Sequence, residues 1–175
     1  MKSEPLRKRC YFETERLKVK NWEIKQEKSE LAINVIKLLT PKVTKTLPTS
    51  WKGVDNVEKA LNWIDERNKE SSVFSINLNT NLKLIGFLFL TENDTKVLSE
   101  VRLGYLISEF FWGERFGTEL IMGFVEWCKN DSYIKILYGG VERNNIASIK
   151  ILEKNGFIRY NNLTAQNTIF YKKII

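Results

Sequence analysis

Apolar and polar residues alternate through residues 15–22 (ERLKVKNW), the period of a strand with one buried face. Helical spacing follows over 29–39 (SELAINVIKLL) and stops before Pro41. A loop over 40–53 holds Pro41, Pro48 and Trp51, and Asp55 is placed to cap a second helix, VEKALNWIDERNKE. Three strand-like runs come next, at 72–79, 83–91 and 99–108. The breaks between them, NTN and ENDTK, are turn-rich, so the runs predict an antiparallel meander. Along the last run Glu100, Arg102, Gly104 and Leu106 share one face, and Val101, Leu103, Tyr105 and Ile107 share the other.

A second helix-forming region begins at FWGERFGTEL (111–120). Leu120, Ile121, Phe124, Val125 and Cys128 then recur at the spacing of one buried face. KILYGGV (135–141) reads as a strand. A helix over 145–155 turns Ile146, Ile149 and Leu152 inward and is closed by Gly156. IRYNN and NTIFYKKII read as a final hairpin. A strand, long helix, strand unit requires a parallel crossover. The expectation is therefore an α/β fold: a mixed, mostly antiparallel central sheet of about seven strands with flanking helices. With no internal repeat or low-complexity linker, residues 1–175 are expected to form one domain.

Composition narrows the classes. A single domain of 175 residues buries roughly 70% of its unfolded surface, enough to fold without staples. The two cysteines, Cys10 and Cys128, have neither metal-type spacing nor the density of a disulfide scaffold. Both are read as reduced thiols of a cytoplasmic protein, with Cys128 filling the core. No segment approaches the roughly 18 to 20 apolar residues of a membrane span. The start, MKSEPLRKRC, is basic with no apolar run behind it, so no secretory signal is expected.

The net charge of +7 favours anionic partners, either nucleic acid or a phosphate-bearing cofactor. Apart from Lys2, Arg7, Lys8 and Arg9 the basic residues are scattered. They do not interleave with aromatics in any nucleic-acid motif, which disfavours nucleic acid. The chain has no histidine. That excludes Ser-His and Cys-His nucleophile systems and any His-ligated metal, and no metal is expected. A general base must be a carboxylate, cysteine, tyrosine, lysine, terminal amine or water.

Glycines before a helix let backbone N–H groups approach a ligand, and the free amides of the first turn attract phosphate. Trp112, Gly113, Glu114, Arg115, Phe116 and Gly117 after a strand fit that arrangement, with Arg115 able to touch the same anion. On spacing alone an ordinary strand-to-helix turn stays open beside it.

LGYLISEFFWGERFGTE resembles the acyl-coenzyme A loop of the GCN5-related N-acetyltransferase (GNAT) superfamily, closest to the branch of ribosomal-protein N-terminal acetyltransferases. ERNNIASIKILEKNGF (142–157) is similar to the family's later motif helix, and ETERLKV (13–19) to its opening strand. The resemblance implies the acyl-CoA N-acyltransferase fold, acetyl-CoA as donor and an amine as acceptor. It implies that the Ile107 backbone pairs with the pantetheine arm and that residues 112–117 with Thr118 hold the pyrophosphate. Asn145 would lie near the pantetheine and also cap its helix, and Ser148 near the thioester sulfur as proton donor to the leaving thiolate. The chain departs from the family at Arg115, where glycine is usual, at Arg102, where an acid is common, and at Leu152, where some members place a tyrosine acid.

Glu100 is the carboxylate nearest the position that lost its acid, so it is the first candidate base and Glu142 the second. An α-amine, with a pKa of about 8, needs less help than a lysine-type amine at about 10.4. The acceptor pocket is expected from the first two helices, their loop and the last hairpin, with Trp51 as either lining or core. The charge weighs against a polycationic acceptor, which leaves a protein N-terminus or a small amine. An antibiotic-type acceptor and a non-catalytic acyl-CoA binder are the alternatives. The oligomeric state is left open by the sequence, a homodimer included.

Overall fold

The predicted meander is the centre of the sheet. In a computed structural model, which describes residues 4–22, 27–94, 99–161 and 165–175, β3 (Ser72–Leu78), β4 (Leu84–Asp94) and β5 (Ser99–Ile107) pair antiparallel in succession. β2 (Leu17–Asn21) extends the sheet beyond β3, and β1 (Phe12–Glu13) beyond β2. On the other side β6 (Ile134–Glu142) lies parallel to β5, reached by the crossover helix α4 (Phe116–Asn130). β8 (Thr168–Ile174) pairs antiparallel with β6, and β7 (Ile158–Arg159) is outermost. The order is β1-β2-β3-β4-β5-β6-β8-β7, eight strands rather than about seven. The extra strand is β1, whose two residues are too few to show alternation. The turns expected at ENDTK and within the final hairpin fall partly outside the described residues.

Each face carries its own core. α2 (Lys28–Leu38) and α3 (Val57–Glu70) cover Trp22, Val73, Phe87, Phe89 and Leu106. α4 and α5 (Ile146–Lys154) cover Phe74, Ile76, Leu88, Val101 and Leu103 on the opposite face. The five apolar residues predicted for one face of α4, Cys128 included, are all buried. α3 is capped by Asn56 rather than Asp55: Asn56 Oδ1 accepts from the Lys59 amide at 3.0 Å, while Asp55 pairs with the Lys59 ammonium at 2.9 Å. Ile146 is 54% exposed, against expectation, because it stands in the first turn of α5 before the helix reaches the core that Ile149 and Leu152 enter.

Residues 4–13 form an ordered cover. α1 (Leu6–Arg9) and β1 bury Leu6, Cys10 and Phe12 against α4. Arg9 pairs with Glu92 at 3.0 Å and with Asp131, and lies over the Trp127 ring. Gly123 of α4 makes room for this hook, since a Cβ there would lie 2.4 Å from Thr14 Cγ2.

Two backbone positions set the cleft geometry. The β3–β4 register shifts at Ile76/Asn77, and Gly86 passes so close to β5 that a Cβ would sit 2.2 Å from the Leu106 carbonyl oxygen. Arg115, the N-cap of α4, holds φ 66°, the left-handed region that costs a non-glycine residue about 1–2 kcal/mol.

Two stability predictions follow from this backbone. Gly86→Ala should lose about 3 kcal/mol or more in urea unfolding, because backbone must move, whereas Gly104→Ala, with nothing within 4 Å of the added Cβ, should stay within about 0.5 kcal/mol of wild type. Arg115→Gly should gain about 0.5–1 kcal/mol, the relieved left-handed cost less the larger backbone entropy of an unfolded glycine. A loss of stability in that variant would mean the arginine side chain is held by a compensating contact.

Candidate active site

The site begins where two strands part. β5 and β6 pair from Ser99↔Ile134 to Leu103↔Gly139 and then stop, although β5 continues to Ile107 and β6 to Glu142. Each strand keeps its outer neighbour to the end, Ile107 opposite Gly86 and Glu142 opposite Thr168. The Ser108 amide donates to the Ile85 carbonyl at 2.8 Å, on the β4 side. Strand alternation therefore aims the N–H and C=O groups of Tyr105 and Ile107 into the gap. Buried backbone groups need partners, so a strand edge left open here suits a ligand that binds as a strand would.

The gap leads into a cleft of about 320 Å³ that passes through the sheet. Phe89, Trp51 and Arg67 wall it from the α3 side, and Tyr105, Ser148 and Leu152 from the α5 side. The predicted phosphate loop follows the end of β5. A 3-10 turn, Glu109–Phe111, precedes it, Trp112 is extended, and Gly113 and Arg115 both have positive φ. The Trp112 indole donates to the Ile107 carbonyl at 2.8 Å, and Phe111 packs edge-on to Phe116. Trp112, Gly113, Glu114 and Arg115 are exposed, and Phe116 and Gly117 are buried. The helix's first internal bond runs from the Glu119 amide to the Arg115 carbonyl, so the amides of Phe116, Gly117 and Thr118 have no helical partner.

Glu119 lies in that first turn, where its charge would repel an anion. It is neutralised by Arg16, whose guanidinium is 2.7 Å away, and it also accepts from the Thr14 hydroxyl and the Arg16 amide. Burial pushes its carboxyl up, but these hydrogen bonds outweigh burial and hold it below the usual range. The Arg115 side chain makes no hydrogen bond or ion pair among the described residues.

The α5 wall brings three polar groups together. Asn145 caps α5, accepting from the Ser148 amide at 3.1 Å, and its Nδ2 donates to Thr46 Oγ1 at 3.2 Å across the cleft mouth. The Tyr105 hydroxyl donates to Ser148 Oγ at 3.2 Å. Burial pushes the Tyr105 phenol up to about 12, against the opposing pull of that hydrogen bond. The phenol thus stays protonated at neutral pH and keeps a proton to give.

On the α3 side Trp51 both lines the cleft and packs, with ring centroids 4.9 Å from Phe89 and 5.3 Å from Trp63. Arg67 lies over the Trp51 ring and pairs with Glu66 and Glu70. Glu70 and Glu142 both line the cleft. Glu100 does not. It sits where β5 and β6 are still paired, accepts from the Tyr138 hydroxyl at 3.5 Å, and lies about 13 Å along the strand from Gly104.

Asn145 and Ser148 line the cleft, Gly117 lies beside the Tyr105 and Ile107 side chains, and Trp112 is hydrogen-bonded to the Ile107 carbonyl, whereas Glu100 is not among the lining residues. Thr46, Arg67 and Glu70 escaped the sequence reading, since nothing local marks them. Tyr105 escaped it too, being counted only as part of an apolar strand face. Among the described residues no cluster of three or more His, Cys, Asp or Glu side chains could hold a metal, and no helix is long and apolar enough to cross a membrane.

Known proteins share this fold. A 96-residue stretch, 54% of the chain, is 29% identical to an uncharacterized protein of Methanocaldococcus jannaschii, of which it covers only 19%. Among solved structures, a GNAT-family acetyltransferase from Bacillus anthracis superposes with a TM-score of 0.76 at 15% identity, over 94% of this chain and 98% of that one. The ribosomal L7/L12 alpha-N-protein acetyltransferase RimL, in complex with coenzyme A, superposes with a TM-score of 0.74 at 14% identity, over 94% and 98%. Residues 19–158 match the acetyltransferase (GNAT) domain family, and the chain belongs to that family.

Proposed function

We propose that the chain is an acetyl-CoA-dependent N-acetyltransferase whose acceptor is a primary amine, with a protein N-terminal α-amine as the leading class. The observation that supports this most directly is the open edge of β5 beyond Leu103, flanked by the unpartnered amides of α4 and by the Tyr105–Ser148 pair. Residues 1–175 would act as one catalytic domain.

Acetyl-CoA supplies a thioester whose acyl carbon is open to attack. The amides of Phe116, Gly117 and Thr118 would hold its pyrophosphate. The backbone of Tyr105 and Ile107 would pair with its pantetheine arm, and Asn145 would border that arm. An inward amide of β5 can donate to the oxyanion that develops at the acyl carbon. The acceptor amine must be neutral to attack, and it enters from the Trp51 and Glu70 side. A new C–N bond forms, the C–S bond breaks, and the amine's surplus proton passes to Glu142 directly or through water. Glu142 replaces Glu100 in this role because only Glu142 lines the cleft. Ser148 gives its hydroxyl proton to the leaving thiolate and regains one from the Tyr105 phenol, which solvent then reprotonates.

A compact cationic amine is the second reading. Glu70, Glu142 and the Trp51 ring on one side of the cleft would attract an ammonium group in spite of the overall positive charge. A peptide panel run against aminoglycosides separates the two.

Thiol release from acetyl-CoA gives a direct readout, because Cys10 and Cys128 are buried, with burial pushing both thiols well above their ordinary range. Peptides with a free α-amine should turn over, and Nα-blocked lysine peptides should not. The kcat/KM profile should rise with pH to a plateau with an apparent pKa of about 8, the α-amine value, rather than climbing past 10. Ser148→Ala should lower kcat about 100-fold at unchanged acetyl-CoA affinity, and Tyr105→Phe should lower it by less. Acetyl-CoA binding without turnover on either panel would leave only a non-catalytic binder, and no binding at all would end the transferase reading.

A further inference from the structure

A second cavity, about 720 Å³, opens on the α2 side of the sheet and shares no lining residue with the acetyl-donor cleft. That volume lies within the range of small-molecule sites. Its floor is unusual for this face. On β3 the residues facing α2 run Val73, Ser75, Asn77, and the first is packed in the core with Phe87 and Trp22. The other two are polar yet only 3% and 7% exposed. Asn77 Nδ2 donates to Ser75 Oγ at 2.9 Å, and Ser75 Oγ donates to the Lys20 carbonyl at 3.3 Å. Asn77 Oδ1 has no protein partner among the described residues, although the side chain is more than nine-tenths buried. Burying such groups costs free energy that valine or isoleucine would avoid. A polar floor here is better explained by a ligand than by the fold.

The rim is basic and aromatic. Lys20, Lys37 and Lys83 line the cavity against one carboxylate, Glu30. Lys20 and Lys37 make no ion pair among the described residues. The excess of cations concentrates positive potential at the mouth and selects an anion. Phe110, on the turn Glu109–Phe111, is 80% exposed and borders the same cavity. A bare ring of that kind suits stacking of a planar base. Ser108, buried at the cavity edge, adds a third hydroxyl or amide group to the floor set by Ser75 and Asn77.

We propose that this cavity is a second ligand site, built for a nucleoside phosphate and separate from the acetyl donor's site. The base lies against Phe110 with its polar edge toward Asn77 and Ser75, and the phosphate is met by Lys20, Lys37 and Lys83. The turn that carries Phe110 is anchored by a polar strut. Glu109 accepts from the Thr40 hydroxyl at 2.9 Å and pairs with Lys42 at 3.2 Å, which ties the end of α2 to the turn before the phosphate loop. This inference stands whether or not the chain transfers acetyl groups.

The test is calorimetric titration with adenosine 5′-monophosphate, with and without saturating acetyl-CoA. The expected result is one site, retained when the donor is saturating and weakened about tenfold or more in Lys37→Glu/Lys83→Glu. Both lysines are exposed, so the double variant should keep the wild-type melting temperature. Adenosine and inorganic phosphate should each bind far more weakly than the nucleotide that joins them. Displacement by acetyl-CoA would assign the nucleotide to the donor cleft and overturn the proposal. So would an affinity indifferent to the two charge reversals, or no binding to the wild type. If acetyl-CoA itself fails to bind, the charge-reversal comparison decides alone.

Discussion

The rest of the molecule depends on a backbone constraint: two parallel strands that stop pairing part-way along. β5 and β6 could have continued their ladder past Leu103 and Gly139, and they forgo those hydrogen bonds. They can do so because each keeps its outer neighbour. β4 holds β5 to Ile107, and β8 holds β6 to Glu142, so only the inner edges go unmatched. Glycine makes the parting fit. A Cβ at Gly139 would lie 3.0 Å from Leu152, and one at Gly140 3.3 Å from the Phe170 ring. At Gly86 the close approach of β4 to β5 leaves no room for any side chain. The gap is therefore enforced by its surroundings rather than left over.

Electrostatics then gives the gap an orientation. The N-terminal end of α4, with its unpartnered amides and positive dipole end, stands at one mouth. The acid in that first turn is silenced by Arg16, and Arg16 in turn donates to the Glu114 carbonyl, which anchors the loop to the turn before β2. At the other mouth the cleft wall holds Glu70, Glu142 and the Trp51 ring. In the proposed reaction the anionic end of the donor meets the amides of α4 and the amine enters from the other end. The left-handed Arg115 costs stability at the loop, and its exposed side chain makes no hydrogen bond or ion pair among the described residues.

How much of this was legible in the sequence depended on the range of the signal. Elements with several periods of alternation or helical spacing, such as α4 and the meander, were read close to their bounds, because their faces are set by the core they bury. α1 and β1 were missed because four and two residues carry no period; what orders them is long-range contact with α4. Asn56 won the α3 cap from Asp55 by a one-residue difference in where the backbone turns extended. The turn before α4, and α5 itself, were legible through glycine and cap. Arg67, Glu70 and Thr46 were not, since their place in the cleft is set by how α3 and the loop before it pack across the sheet. Glu100 shares a strand face with Gly104, which parity shows. The point at which β5 and β6 part is a property of the pairing, which parity does not show.

That parting also explains how the site can do without a tyrosine on its motif helix. Leu152, where the sequence resemblance implied a phenol in some members, is 1% exposed and packs against Gly139 where the strands begin to diverge. A polar ring there would disturb the contact that holds β6 to α5. Tyr105 instead reaches Ser148 from β5, on the same side of the cleft and two residues beyond the last β5 residue paired with β6. Its buried phenol is a poor acid in water but a secure reservoir of one proton at neutral pH. Its own backbone amide faces the gap. In the proposed reaction one residue thus supplies both an edge for the donor's arm and the proton that replenishes Ser148, so the same divergence that opens the cleft also sets its proton donor in place.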